Sequence, residues 1–145
     1  MIKQISIKTK FGWISVFEEK NRIVKVKFGK RRNIYTSKNL KKFKSSLNAF
    51  LNRTSKSIKS NFIIKGTTIQ KKVWGELKNI KFGKTKSYGE IAKKYKLSPR
   101  HVGKICSQNK LLLIIPCHRV IRTNGSLGGF TSLGGVKLKK KLLDF

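Results

Sequence analysis

This 145-residue sequence holds two cysteines, Cys106 and Cys117, and two histidines, His101 and His118. Only Cys117 and His118 adjoin, within Ile114-Ile115-Pro116-Cys117-His118-Arg119-Val120-Ile121. The chemistry such a pair supports is nucleophilic attack by sulfur. A free thiol, with a pKa of about 8.5, is only a few per cent thiolate at neutral pH, and an adjacent base or a cationic environment raises that fraction. On an extended segment neighbouring side chains point to opposite sides, so His118 is expected to act through a bridging water rather than by direct contact. A lone buried cysteine is more often structural, and Cys117 taken alone leaves both readings open. Cys106 falls on the apolar face of a helical stretch and reads as core. No CxxC or paired-histidine spacing occurs, so a zinc site is not expected, nor do two cysteines make a disulfide framework.

The elements that must position this thiol differ along the chain. Ile5 and Ile7 alternate with polar residues, Trp13 and Phe17 bound an aromatic and β-branched run, and Val24, Val26 and Phe28 alternate with lysines. These predict a small antiparallel sheet, with a turn at Glu18-Glu19-Lys20-Asn21 between its last two strands. Leu40, Phe43, Leu47, Phe50 and Leu51 then share one helical face, and 53–60 read as loop. Thr67-Thr68-Ile69-Gln70 fits a capping box opening a helix with Ile69, Val73, Leu77 and Ile80 on one stripe, widened by Trp74. Ser87-Tyr88-Gly89-Glu90 is a second capping box, whose short helix turns Ile91, Ala92 and Tyr95 inward. After Lys96-Leu97, Ser98 caps a third helix with Pro99 at its first position. Val102, Ile105 and Cys106 form the buried face of that helix, and Arg100, Lys104 and Ser107 the opposite one. Two short helices with a tight turn and a basic outer face match a helix-turn-helix. An apolar extended run over 111–115 leads to the cysteine, 124–135 form a glycine-rich loop, and 137–143 a last basic helix with Val136, Leu138 and Leu142 inward.

The formal net charge is +31, with five carboxylates in all. Such a chain repels itself and is drawn to polyanions, nucleic acid first and anionic membrane second. Lysine far outnumbers arginine, a pattern that an AT-rich genome also produces, so the charge alone carries no specific assignment. No apolar run approaches a membrane span, and the start Met1-Ile2-Lys3-Gln4-Ile5 lacks the apolar core of a signal peptide. A cytoplasmic protein without a membrane partner is expected.

Ile115-Pro116-Cys117-His118-Arg119-Val120 resembles the active-site signature of the O6-alkylguanine-DNA alkyltransferases, the methylated-DNA–protein-cysteine methyltransferases. Further matches occur in order. Gly66-Thr67-Thr68-Ile69-Gln70-Lys71-Lys72-Val73-Trp74 is similar to the family's GTxFQxxVW helix, and Gly83-Lys84-Thr85-Lys86-Ser87-Tyr88 to its GxTxSY turn. Arg100-His101-Val102-Gly103 is similar to its RAVG, and Asn109 to the asparagine of its NP. The resemblance implies a single-turnover suicide reaction without a cofactor. A helix-turn-helix docks in the minor groove of double-stranded DNA, and an O6-alkylguanine is flipped into a pocket beside Cys117, whose thiolate keeps the alkyl group. O4-methylthymine is a second candidate substrate.

The resemblance also implies roles. His118 is the water-mediated base, Asn109 orients the site, and Tyr88 hydrogen-bonds the flipped base. Arg100, by spacing a phosphate contact, is by resemblance the residue that fills the gap in the stack. Lys104, Ser107 and Arg119 complete the DNA-binding set. Phe130 stands where the family has a tyrosine, so it packs on the base without donating to O6, and the amide of Thr131 is the candidate donor. A carboxylate that orients the histidine is expected three residues beyond Leu142-Leu143, one position past the last residue here, leaving Asp144 or the carboxylate of Phe145 to substitute.

The expected fold is α+β. Residues 1–62 form a small antiparallel sheet with a helix, in a ribonuclease-H-like layout. Residues 63–145 form a helical, winged-helix-like domain carrying the helix-turn-helix and the thiol, and a monomer is expected. Three rivals are weaker. A damage-flagging alkyltransferase-like protein has its reactive cysteine replaced, a basic binding module leaves Pro116-Cys117-His118-Arg119 unexplained, and a cysteine hydrolase needs an oxyanion hole for which no residues stand out.

Overall fold

The computed structural model describes residues 2–145, so Met1, part of the start read above, lies outside the described residues. The chain forms an α+β structure divided into two compact units. One runs to Ile64 and takes back Lys110–Ile114; the other comprises Lys65–Asn109 and Ile115–Phe145.

In the first unit β1 (Ile2–Thr9), β2 (Gly12–Glu19) and β3 (Arg22–Phe28) form an antiparallel sheet in sequence order. The turn joining β2 to β3 is shorter than the sequence suggests. Lys20 and Asn21 alone form it, both with positive φ (50° and 62°), as a two-residue hairpin requires. Glu18 and Glu19 therefore stay in the strand. A register shift between Phe17 and Glu18 makes Phe17 face Lys25 and Glu18 face Ile23, leaving Val24 as the extra residue. The bulge changes the phase of alternation, which is why Ile23 is buried in place of Val24.

Glu18 is itself buried, and the Ser37 hydroxyl donates to its Oε2 at 2.7 Å. Ser37 also caps α1 (Lys38–Leu51) by accepting from the Leu40 amide, so one hydroxyl ties the buried carboxylate to the helix start. Helix α1 packs Leu40, Phe43, Leu47 and Phe50 into a core with Ile7, Ile14, Val16 and Val26. Residues 110–114, expected in the second domain, complete this unit. The Val26 amide donates to Lys110 O, and the Leu112 amide to Val26 O. The stretch is not one extended run, because Leu113 adopts φ 70° in a turn.

The second unit holds α2 (Thr68–Lys78), β4 (Lys86–Ser87), α3 (Tyr88–Tyr95), α4 (Pro99–Ser107), β5 (Val120–Ile121) and α5 (Gly135–Asp144). Both capping boxes form, Thr67 with Gln70 and Ser87 with Glu90. Ser98 caps α4 with Pro99 in its first turn, and Lys96 in the left-handed region makes the tight connection from α3. The Trp74 indole N–H donates to Ile105 O at 3.0 Å and fastens α2 to α4. Glu76, buried on α2, accepts from Lys86 and Lys94 at 2.7 Å each and from the Tyr95 hydroxyl at 3.0 Å, fastening α2 to β4 and α3. Val136, expected inward on α5, is 47% exposed, because the face of α5 that packs inward carries Leu138, Lys139 and Leu142.

No helix of the described residues is long and apolar enough to cross a membrane.

Candidate active site

Cys117 does not lie on an extended strand. Pro116, at φ −80° and ψ 65°, makes an inverse γ-turn in which the Cys117 amide donates to Ile115 O at 2.8 Å. Residues Cys117–Arg119 then form one 3₁₀ turn, closed by the Arg119 amide on Pro116 O. Successive side chains around such a turn stand about 120° apart, so Cys117 and His118 still face different directions, though not for the reason an extended strand implies. Both are buried.

Three pieces of the second unit converge here. The parallel pairing of β4 with β5 sets Lys86 opposite Val120 and Ser87 opposite Ile121. That ladder brings the first residue of α3, Tyr88, alongside the segment that leaves the cysteine turn. Just past the end of α4, the Asn109 amide N–H donates to Cys106 O, and its side chain donates to Ile115 O at 2.9 Å. The same carboxamide hydrogen-bonds the Cys117 thiol. From the glycine-rich loop, Gly128 lies so close to the Tyr88 ring that a Cβ there would sit 3.1 Å from a ring carbon, and its φ of 75° also demands glycine.

The electrostatics follow from burial. Desolvation pushes the Cys117 thiol up from its ordinary value, opposed by the Asn109 hydrogen bond and the positive charge of Lys139. Cys106, the second buried thiol, is pushed up to about 12, and Tyr88 likewise to about 12, in both cases chiefly by burial. His118 is pushed down to about 3 by burial and by the charges of Arg119 and Lys139, so its imidazole is neutral. The charges that act on His118 are those of Arg119 and Lys139; Asp144 pairs with Lys140 at 2.9 Å on the surface of α5, and the Phe145 ring packs edge-on against Phe82.

The remaining expected residues divide into three groups. Arg100, Lys104 and Ser107 share the exposed face of α4. Thr131 Oγ1 donates to Ser107 O at 3.4 Å, connecting the loop that carries Phe130 to that helix. Arg119 is half-buried and turned inward, donating to Ile80 O at 2.7 Å with its guanidinium over the Phe82 ring. Sequence reasoning missed Lys139. It sits among lysines 137, 140 and 141 and looks like them, yet it is fully buried with its ammonium against Tyr88. The only hint was its place beside Leu138 and one turn before Leu142 and Leu143. Among the described residues no group of three or more His, Cys, Asp or Glu side chains could hold a metal.

Known proteins resemble this chain in sequence and in fold. The family described as 6-O-methylguanine DNA methyltransferase, DNA binding domain, matches residues 68–145, more than half of the chain. A methylated-DNA–protein-cysteine methyltransferase of Methanocaldococcus vulcanius is 54% identical over 78 residues, covering 54% of this chain and 47% of that protein. The match thus spans about half the length of that relative. One of the same name from Metallosphaera sedula is 33% identical over 147 residues, covering 99% of this chain and 92% of its own. The solved O6-methylguanine methyltransferase of Mycobacterium tuberculosis superposes with a TM-score of 0.85 at 26% identity, over 99% of this chain and 92% of that one. Similarity that covers both the helix-turn-helix and the cysteine turn, and in one relative nearly the whole length, leads to a single assignment: this chain belongs to the 6-O-methylguanine DNA methyltransferase family.

Proposed function

We propose that the protein repairs double-stranded DNA by moving the alkyl group from O6 of guanine onto Cys117, once per molecule. The observation that carries this reading is the Cys117 thiol, held by Asn109 in a buried turn beside Tyr88, next in the chain to a helix whose outer face is Arg100, Lys104 and Ser107. A buried thiol suits a flipped base as substrate, because the base itself supplies the apolar, water-free contact.

In the reaction, the thiol loses its proton and the thiolate attacks the O6-alkyl carbon. The sulfur–carbon bond forms as the carbon–oxygen bond breaks, and the guanine leaves with the electron pair on its oxygen and takes up a proton. The thioether does not readily release the alkyl group, which limits each molecule to one turnover. His118 is the water-mediated proton acceptor. Its imidazole is neutral and so able to accept, but burial and two nearby cations make it a weak base. Alkyl transfer is expected to be slow with so weak a base.

Tyr88 hydrogen-bonds the base edge, Phe130 packs on its face, and the Thr131 amide donates toward O6. Arg100 fills the vacated stack, with Lys104 and Ser107 on the backbone. Arg119, occupied by Ile80 O, meets DNA only through the long-range field of its charge. O4-methylthymine is a further substrate on the same chemistry.

The test is a duplex carrying methyl-labelled O6-methylguanine. At most one label per molecule, on Cys117, and none on a Cys117→Ala variant is the expected result. Repeated turnover, or no transfer by the intact chain, overturns the reading.

A further inference from the structure

The first unit holds a cavity of about 930 Å³ that is lined by its own residues and draws nothing from the cysteine turn or α4. One wall is α1, where Lys38, Lys42 and Ser46 recur every four residues and so share a face. The other is the segment 59–61, fastened at both ends. The Lys59 amide donates to Ser46 Oγ at 2.6 Å, and the Asn39 carboxamide donates to Asn21 O at 3.1 Å and to Asn61 O at 3.3 Å. The Asn61 carboxamide donates to Asn21 O as well, at 2.9 Å. With Lys3 from β1, four lysines line the cavity, and among the described residues no carboxylate does. None of these four ammoniums has an ion pair among the described residues. Glu18, opposite Lys3 in the β1–β2 register, is buried and accepts from the Ser37 hydroxyl. Ser60 lines the same cavity, and its hydroxyl is the one buried side-chain oxygen among the described residues without a hydrogen-bond partner. Buried hydroxyls are almost always paired, so an orphan at a cavity wall marks a bond for a ligand to complete.

We infer that this cavity is a second binding site, for a small anion carrying two or more linked phosphates, free or as part of a nucleotide. Charge sets the class. Four ammoniums less the Glu18 carboxylate leave three positive charges, and a single phosphate monoester supplies only about 1.5 to 2 negative ones. Size sets the kind of molecule, because cavities of roughly 300–1,000 Å³ are those that take small ligands. The first-turn amides of α1 add donors without intrahelical partners and the positive end of the helix dipole. Ser60 supplies a hydroxyl for a phosphate oxygen. The hydrogen bonds across the walls are made within the protein itself, so binding orders lysine side chains rather than backbone. The site stands or falls independently of alkyl transfer.

The test is calorimetric titration of the full chain in about 150 mM sodium chloride, which screens exposed charges beyond about 8 Å. Pyrophosphate and adenosine triphosphate are titrated separately, without magnesium, and each is expected to bind once per chain. Lys42→Ala combined with Lys59→Ala is expected to weaken binding about tenfold or more, and Ser60→Ala about threefold. Lys71→Ala combined with Lys72→Ala removes the same charge from exposed positions of α2 and is expected to change affinity less than about twofold. Equal affinity for the two anions assigns the site to the phosphates alone, and tighter binding of the nucleotide adds a contact to the nucleoside; either result supports the inference. Equal weakening in the two double variants, or several anions bound per chain, means attraction by net charge only and overturns it. So does the lack of saturable binding by both anions. An undamaged duplex is the last arm. A loss of duplex affinity of about tenfold in Lys42→Ala with Lys59→Ala, with no saturable binding of pyrophosphate, gives the lysines to the DNA backbone and also overturns it.

Discussion

At the scale of residues, the site is a balance between burial and a few compensating contacts. Cys117 is deprived of water, which favours the thiol, while the Asn109 carboxamide and the Lys139 charge favour the thiolate. His118 is already neutral well below physiological pH, being pushed down to about 3. The sign of the pH dependence follows. Lowering pH from 8 toward 6 protonates more of the thiol and leaves His118 unchanged. The single-turnover rate constant is therefore expected to rise steadily from about pH 6 to about pH 9, with no break near the ordinary histidine pKa of about 6.5. A stopped-time assay across that range checks it; a clear inflection near 6.5 would mean that His118 titrates normally. These residue-level facts were partly legible. Cys117, His118, Asn109 and Tyr88 stand out by type and motif, whereas Lys139 is one lysine among thirty-six basic residues until a helix buries it.

At the scale of elements, α4 and the β4–β5 ladder do separate tasks. Helix α4 keeps Arg100 on its exposed face, so Arg100→Ala is expected to lower repair in duplex DNA at least tenfold while changing reaction with free O6-benzylguanine little. Equal losses on both substrates would count against the stacking role. The packing of α2 against β4 and α3 depends on Glu76. Hydrogen bonds from Lys86 and Lys94, and more weakly Tyr95, hold its carboxyl at about 2 against an ordinary 4.5, with burial opposing. A depressed folded pKa contributes stability that is complete above about 4.5 and lost as pH falls toward 2. Both lysines are substantially exposed, so the contribution is discounted to about 2 kcal/mol. Glu76→Gln is expected to lower the urea midpoint at neutral pH, and the gap to the parent should narrow below about pH 4.5 and close only as pH falls through about 2. A gap that persisted at low pH would assign the loss to packing instead. Helix starts were readable because serine, threonine and proline at a cap act locally. The bulge at Phe17–Glu18 was not, since a register shift is decided by the partner strand.

At the scale of the whole molecule, the charge dominates. With a formal net charge of +31 and few carboxylates, most lysines have no partner of opposite sign, and their mutual repulsion works against the folded state. Raising salt screens that repulsion over a Debye length that falls to about 10 Å at 0.1 M. The melting temperature is expected to rise from about 20 mM to about 200 mM sodium chloride, while affinity for undamaged duplex falls over the same range. Calorimetry and fluorescence anisotropy in parallel would show the opposed trends; a falling melting temperature would mean that ion pairs outweigh repulsion.

The sequence by itself determined what depends on near neighbours and on residue chemistry. Capped helices, the tight turn between α3 and α4, the glycine-rich loop and the adjacent Cys117-His118 all follow from side chains within a few positions of one another. The motif order pointed to the same family that the full-length similarity supports. Tertiary structure alone decided the rest. It shortened the β2–β3 turn, returned 110–114 to the first unit through backbone bonds with Val26, and wound Cys117 into a 3₁₀ turn. It also drew Asp144 to Lys140 rather than to His118, and turned one lysine of α5 inward onto Tyr88. Two of these rest on partners far away in the chain, 110–114 on Val26 and Lys139 on Tyr88. A residue's solvation, and hence its charge, is settled only when such a partner arrives; the others are short-range geometries that their residues allow but do not require.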